Sequence, residues 1–451
     1  MTLAQDPQAV RAGLTAIAGK KNVLAGEAAA AYSIAGELPA AVVSPSDENQ
    51  AAEVARLAAS ERVPVVVWGS GTKQGIEPVQ PTGGCIVLST SKLARTVELD
   101  ADNLTVTVGT GKVVDELQKE LAAAKLFLPL DPVDSARATI GGTLATNSSG
   151  PNRLLYRTAR DLVLGVRVAT PMGKVVRAGG KTVKDVAGYD MKKLFIGSWG
   201  TLGLITEATF RLLPIPEAKA TVAMLFTRLD AAGETVGAIR ASFMVPSTAE
   251  LLSSGTRLAT DDALMPAAGE YLLLVQGEGA REDVERMKRE LAEVASSRGA
   301  KVVEILEGEA ETAIWKSRKG VFAAPDPEGP AVLVKGSVPI TRVVDFAGAV
   351  ERLSGEGLRS AFAAHAGNGI VYASIAANEG DEERLAGAVR QLQKVASECG
   401  GFALLQRAPA ALSGSVPLWP PRTDYGVMRE IKAQMDPAGI WNPARIPGGR
   451  V

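Results

Sequence analysis

Apolar residues along the first 215 positions fall in short runs whose spacing predicts strands interleaved with helices. AVV (41–43) precedes SPSDENQAAEVARLAAS, where Ser46 or Asp47 can cap a helix with Val54, Leu57 and Ala58 as its apolar stripe. PVVVW (64–68) reads as a fully buried strand and CIVLS (85–89) as another; TVELDADNLTVTVG reverses between two strands at Asp100 to Asn103. Residues 112–124 predict a helix presenting Val113, Leu117 and Leu121, and DLVLGVRVATPMGKVVR (161–177) predicts a hairpin turning at Pro171-Met172-Gly173. GLITEATFRL (203–212) sets Leu204, Thr206, Ala208, Phe210 and Leu212 against Glu207 and Arg211, the alternation of a half-buried strand.

Two prolines in LPIPEAKA interrupt this pattern and predict a domain boundary near 215–219. Strand TVAML (221–225) then leads to a helix at 230–242, and strand YLLLVQG (271–277) to a helix at 280–297 with Val284, Met287, Leu291 and Val294 in register; KVVEIL (301–306) closes the round. A second round follows: AVLVKGSVP (331–339), a helix at 341–353, FAAHAGNG with IVYASI (362–375), and a helix at 381–398. Such strand–helix–strand rounds point to a ferredoxin-like or doubled α+β domain. The tail MDPAGIWNPARIPGG (435–449) reads as a loop anchored by Ile440 and Trp441. The expected organisation is an α+β chain of three parts: 1–217, 218–410, and a segment 411–451 that returns to the first domain.

Composition removes many alternatives. The 451 residues are 46% hydrophobic and 22% charged with a formal net charge of -1, the profile of a soluble globular chain with no electrostatic footprint for nucleic acid. No apolar run approaches the roughly 20 residues of a transmembrane helix. MTLAQDPQAVRAG lacks the basic start and apolar core of a signal peptide, so the cytoplasm is the expected address. The two cysteines, Cys85 and Cys399, are far apart, which argues against a disulfide framework or a cysteine-ligated iron–sulfur cluster. A single histidine, His365, rules out a multi-histidine metal site, and no metal is expected.

Three clusters of small polar residues stand out: WGSGTKQG (68–75), ATIGGTLATNSSGP (138–151) and IGSWGTLGLI (196–205). Glycine lets backbone N–H groups approach and converge on an anion, and Thr and Ser add short donors. One such cluster is an ordinary turn composition; three at strand ends in one domain predict a nucleotide-cofactor cradle. GxxxxGK[ST] and a strand-linked GxGxxG are both absent, which sets aside a P-loop kinase and a nicotinamide Rossmann domain.

These clusters also carry a resemblance. From PAAVVSPSDENQAAEVARLAASERVPVVVWGSGTK through ATIGGTLATNSSGPNRLLYRTARDLVLGVRVATPMGKVVRAGG to KTVKDVAGYDMKKLFIGSWGTLGLITEATFRLLPIPE, the chain resembles the FAD-binding domain of vanillyl-alcohol-oxidase-type, or PCMH-type, flavoproteins. Within that group it looks most like the FAD-binding subunit of bacterial glycolate oxidase, of the glycolate and D-lactate dehydrogenase family. The likeness covers nearly all of 39–217 and returns in short pieces at WKSRKGVF, KGSVP, AHAGNG and DPAGIWNPARI. It implies a two-lobed FAD-binding domain followed by a ferredoxin-like α+β cap.

The resemblance assigns Gly69, Ser70, Gly71, Thr72 and Lys73 to the FAD pyrophosphate loop. Pro132, Asp134, Thr139, Gly141 and Gly142 would follow the cofactor toward the flavin, with Ala145, Thr146, Ser149 and Gly150 along the same wall. Gly200, Leu202, Gly203 and Ile205 would meet the adenine or flavin portion. Relatives that tether FAD use a histidine near the pyrophosphate loop; none stands there, so the FAD is expected to be non-covalent.

Hydride transfer from a 2-hydroxy acid to flavin needs a proton acceptor, and only His365, in AFAAHAGNGI, is of the usual type. A buried structural histidine is the competing reading. Carboxylate clamps are sought among Arg153, Arg318, Lys335, Arg407 and Arg422, with Arg318 and Lys335 favoured because they flank the family-like pieces. Tyr156 and Tyr189 are candidates to face the cofactor or the Lys184-Asp185 segment, and Trp315, Trp419 and Trp441 to pack domains. Two departures stand against a complete hydroxy-acid site: IVYASI lacks the second histidine of catalytic relatives, and GSWG places Trp199 where they carry an acid. Three readings follow: a glycolate-type FAD oxidoreductase subunit working with an iron–sulfur subunit and a second flavoprotein subunit, peripheral to the inner membrane through that complex; a non-catalytic flavin-binding electron-transfer or scaffold subunit; or a stand-alone FAD oxidoreductase on another alcohol or sugar acid.

Overall fold

The computed structural model describes residues 7–34, 36–74, 84–182, 188–256, 264–322, 329–355, 357–412, 414–443 and 445. The Lys184-Asp185 segment lies outside them. The chain forms two compact units. One holds the residues up to Ser149, Thr158–Ile215 and everything from Pro421 on; the other holds Gly150–Arg157 and Pro216–Pro420.

The first unit contains two main sheets. Ala41–Val43, Ile86–Ser89 and Val65–Trp68 pair in parallel, with Val23–Leu24 added antiparallel at one edge. Helix Glu48–Glu61 starts at Asp47, whose carboxylate accepts from the N–H groups of Asn49 and Gln50, so Asp47 rather than Ser46 is the cap. The second sheet is antiparallel in the order Thr96–Asp100, Thr105–Gly109, Leu204–Arg211, Val163–Ala169, Val175–Gly179. Leu204–Arg211 is therefore central, not half-buried: neighbours on both edges and packing on both faces also cover Ile205 and Thr209.

The second unit repeats one motif. Ala218–Phe226, helix Leu229–Ala241, Thr248–Ser253, Tyr271–Gly279, helix Arg281–Ser297 and Val302–Leu306 form the first half. Ala331–Ser337, helix Val343–Glu351, Leu358–His365, Ile370–Ala377, helix Glu382–Glu398 and Phe402–Arg407 form the second. Each half is β-α-β-β-α-β, and the two join edge to edge through Thr248–Ser253 and Leu358–His365 into one antiparallel eight-stranded sheet. The four helices bury one face; helix Gly308–Gly320, between the halves, contributes Ile314 to the other.

Two strands and a helix here escaped the sequence reading: Thr248–Ser253, Phe402–Arg407 and Gly308–Gly320. The short segment 150–157, read as part of the first domain, packs in the second unit, where the Tyr156 hydroxyl donates to Glu278 and Leu154 lies against Gly367. Residues 411–420 also stay with this unit, because Leu412 and Val416 enter its core.

Candidate functional site

The three glycine clusters converge in the first unit on one cleft that opens to solvent. The loop after strand Val65–Trp68 brings Gly69, Ser70, Gly71, Thr72 and Lys73 to it. Thr139, Gly141, Gly142, Ala145 and Thr146 form a second wall, and Gly200, Gly203 and Ile205 a third. The second wall is a short helix, Ile140–Thr146, whose Thr139 side chain caps the N–H of Gly142 at 3.2 Å.

Small residues are required here by contact. A Cβ at Gly69 would lie 2.4 Å from Thr139 Oγ1, and one at Gly141 would lie 2.9 Å from the Thr110 side chain. Gly200 and Gly203 have φ of +69° and +146°, values that disfavour any side chain. Ser70 Oγ is buried without a partner, a polar demand of the kind a bound cofactor answers.

Not every position assigned by resemblance reaches the cleft. Leu202 packs in the core beneath the antiparallel sheet. Asp134 turns to Arg137 at 3.5 Å, with Pro132 buried beside it, and neither lines the cleft. Ser149 is buried off the cleft, and Gly150 belongs to the second unit.

The tail supplies what the sequence reading lacked. Asn442 Oδ1 accepts from Val67 N at 2.9 Å while its Nδ2 donates to Trp199 O at 2.8 Å, so one amide bridges two of the walls. Arg445 reaches the cleft and donates to Gln74. Beneath, Lys432 Nζ donates to Thr201 O at 2.8 Å, Trp441 O at 2.7 Å and Asp436 Oδ2 at 2.6 Å, and the same Asp436 oxygen accepts from Trp441 N. Burial lowers the Lys432 pKa while Asp436 opposes the shift. Trp441 lies in the core of this unit.

The second unit gathers a different chemistry on the sheet face opposite its four helices. Cross-strand register pairs Glu250 with His365, and Tyr372 with both Ala363 and Lys335. The His365 and Tyr372 rings meet edge-on at 5.5 Å, and Lys335 Nζ stands 5.8 Å from the Tyr372 ring centre. Desolvation, helped by the charge of Arg153, pushes the Lys335 pKa down to about 8. Glu250 is fully buried; Oε1 meets His365 Nδ1 at 2.5 Å, and Oε2 accepts from Arg318 Nε at 2.8 Å and from its Nη2. Burial is the main cause lowering the His365 pKa, with Glu250 opposing.

The remaining candidates are engaged elsewhere. Arg422 holds Asp424 at 2.9 and 2.7 Å on the surface, Arg407 donates to Phe322 O at 3.1 Å, and Trp315 donates to Thr221 at 2.8 Å. Tyr189 is exposed. Among the described residues no group of three or more His, Cys, Asp or Glu side chains could hold a metal ion, and no helix is long and apolar enough to cross a membrane.

Comparison with known proteins agrees with both units. A domain family described as "FAD binding domain" matches residues 39–179, and one described as "FAD linked oxidases, C-terminal domain" matches 215–403. Together they define the class: an FAD-linked oxidase with its own C-terminal domain. The glycolate oxidase subunit GlcD of Bacillus subtilis is 30% identical over 419 residues, covering 91% of this chain and 89% of that protein. A D-lactate dehydrogenase of Archaeoglobus fulgidus is 30% identical over 413 residues, covering 90% of each. Among solved structures, p-cresol methylhydroxylase has the same fold, with a TM-score of 0.77 at 17% identity, covering 98% of this chain and 97% of that one. The chain belongs to the glycolate oxidase and D-lactate dehydrogenase family of FAD-linked oxidoreductases, and FAD is its cofactor.

Proposed function

We propose that this chain holds FAD non-covalently in the three-walled cleft and oxidises glycolate or a related 2-hydroxy acid. When bound, FAD supplies the hydride acceptor. The row Lys335, Tyr372 and His365 on one sheet face carries the proposal, since it sets an ammonium group and a basic imidazole on either side of an aromatic ring. Lys335 would pair with the substrate carboxylate and His365 would take the hydroxyl proton. The relatives named for glycolate and D-lactate support that substrate class. Arg318, expected from the sequence as a second clamp, is given a different role, because Glu250 already occupies its Nε and Nη2.

Non-covalent attachment is supported by the cleft's lining, which includes neither His365 nor either cysteine. Electrons would leave to a partner: the likeness to a glycolate oxidase subunit supports an iron–sulfur subunit and a second flavoprotein subunit of a cytoplasmic, inner-membrane-associated complex as companions, and the separate, buried Cys85 and Cys399 offer no cluster site of their own. A second reading, a flavin-holding subunit without its own substrate chemistry, is favoured by the burial of His365. Acid precipitation should release all yellow colour into the supernatant; colour retained in the pellet refutes non-covalent binding. Anaerobic glycolate or D-lactate should bleach the flavin band of the isolated chain. Bleaching that needs added partner subunits selects the second reading.

A further inference from the structure

Glu250 is an acid buried within a sheet, and the proposed chemistry does not yet use it. It lies opposite His365 at the seam where the two halves of the second unit join, 115 positions away in sequence. Its two oxygens are divided, one to Arg318 and one to His365 Nδ1. His365 Nε2 is buried with no partner, as are both amide atoms of Asn368 in the same turn, where Asn368 N donates to His365 O at 3.0 Å.

We propose that Glu250 is the positioning residue of His365, holding the ring as its Nδ1–H tautomer so that Nε2 presents a lone pair to the hydroxyl proton of a bound ligand. The inference rests on the reading of His365 as the proton acceptor. A carboxylate is acceptor-only, so the contact with Glu250 requires His365 to donate from Nδ1. Arg318 balances Glu250, so a resting imidazolium would add an uncompensated buried charge. Burial acts in the same direction, holding His365 below the ordinary histidine range. Among the described residues the charged and titratable groups around the ring are Glu250, Arg318, Lys335 and Tyr372; Arg318 and Lys335 disfavour its protonation and Glu250 favours it. A 2-hydroxy acid oxidised to its 2-oxo acid would give up its O–H proton to Nε2, and FAD, when bound, would supply the acceptor for its carbon-bound hydride. Glu250 would then stabilise the imidazolium formed.

Because the chain has one histidine, a single ring reports the answer. In the full-length, FAD-loaded protein labelled with 15N-histidine, long-range proton–nitrogen correlation at pH 7 should show a protonated Nδ1 and a bare Nε2. An Nε2–H tautomer or an imidazolium overturns the proposal. Glu250→Gln, whose amide can donate to Nδ1, should populate the Nε2–H form and slow anaerobic flavin reduction by about 10²-fold or more. If that variant does not fold, E250Q with R318M removes both buried charges and should lose the tautomer bias in the same way. A variant with unchanged tautomer and reduction rate also overturns the proposal. If neither glycolate nor D-lactate reduces the wild-type flavin, the substrate reading fails while the tautomer result still decides the role of Glu250.

Discussion

At Gly69 one missing carbon sets the width of the cofactor cleft. Alanine there would press on the Thr139 hydroxyl that caps the neighbouring helix, so one wall must shift. Gly69→Ala should cost about 1–3 kcal/mol, roughly fivefold to 150-fold in the FAD dissociation constant. Flavin fluorescence titration of the apoprotein measures it directly. His365 gives a residue-scale pH dependence. Its folded pKa lies below its ordinary value of 6.5, so as pH falls the unfolded chain takes up a proton before the folded one does. The His365 contribution to stability should therefore be flat above pH 7 and fall below about 6.5, by up to about 1.4 kcal/mol per pH unit, until the folded pKa is reached. His365→Gln should remove that limb from urea unfolding curves taken at successive pH values. The cradle was legible at this scale because glycine and small hydroxyl residues mark close approach by composition alone. Glu250 was not: a lone acid among apolar residues reads as a surface position until a partner strand is placed beside it.

Among the elements, helix Arg281–Ser297 was read to within a residue, since Val284, Met287 and Leu291 declare a stripe, whereas Gly308–Gly320 was not read at all. Thr248–Ser253 was missed because a strand buried on both faces shows no alternation. The tail was read as a loop anchored by Ile440 and Trp441. Ile440 and Trp441 do enter the core of the first unit, and helix Tyr425–Met435, which was not read, carries Lys432 to the point where it pins that loop, through contacts with Asp436 and the Trp441 carbonyl. Lys432→Met leaves the Asp436 carboxylate buried without its cation and should destabilise the first unit by about 3–5 kcal/mol. Urea denaturation of the FAD-free protein should show it. The same variant should weaken FAD binding, because Asn442 follows directly and bridges two cleft walls.

On the scale of the molecule, the second unit is one motif used twice, and its hydrogen-bonded sheet passes from one half to the other through the pair Thr248–Ser253 and Leu358–His365. Leu251 is fully buried at that seam, facing Ala364. Leu251→Ala should cost about 2–5 kcal/mol, read as a shift in the urea midpoint, without altering the isolated FAD spectrum.

The sequence by itself determined the class of cofactor, the α+β alternation and the poverty of reactive side chains, because these follow from residue type and local period. Only the tertiary structure decided which strand lies beside which. That choice places Glu250 against His365, folds Asn442 back onto the glycine loops, and sets Arg318 on a carboxylate of its own chain. Such pairings join residues from about 70 to 375 positions apart, held by long-range register and packing that no local pattern encodes.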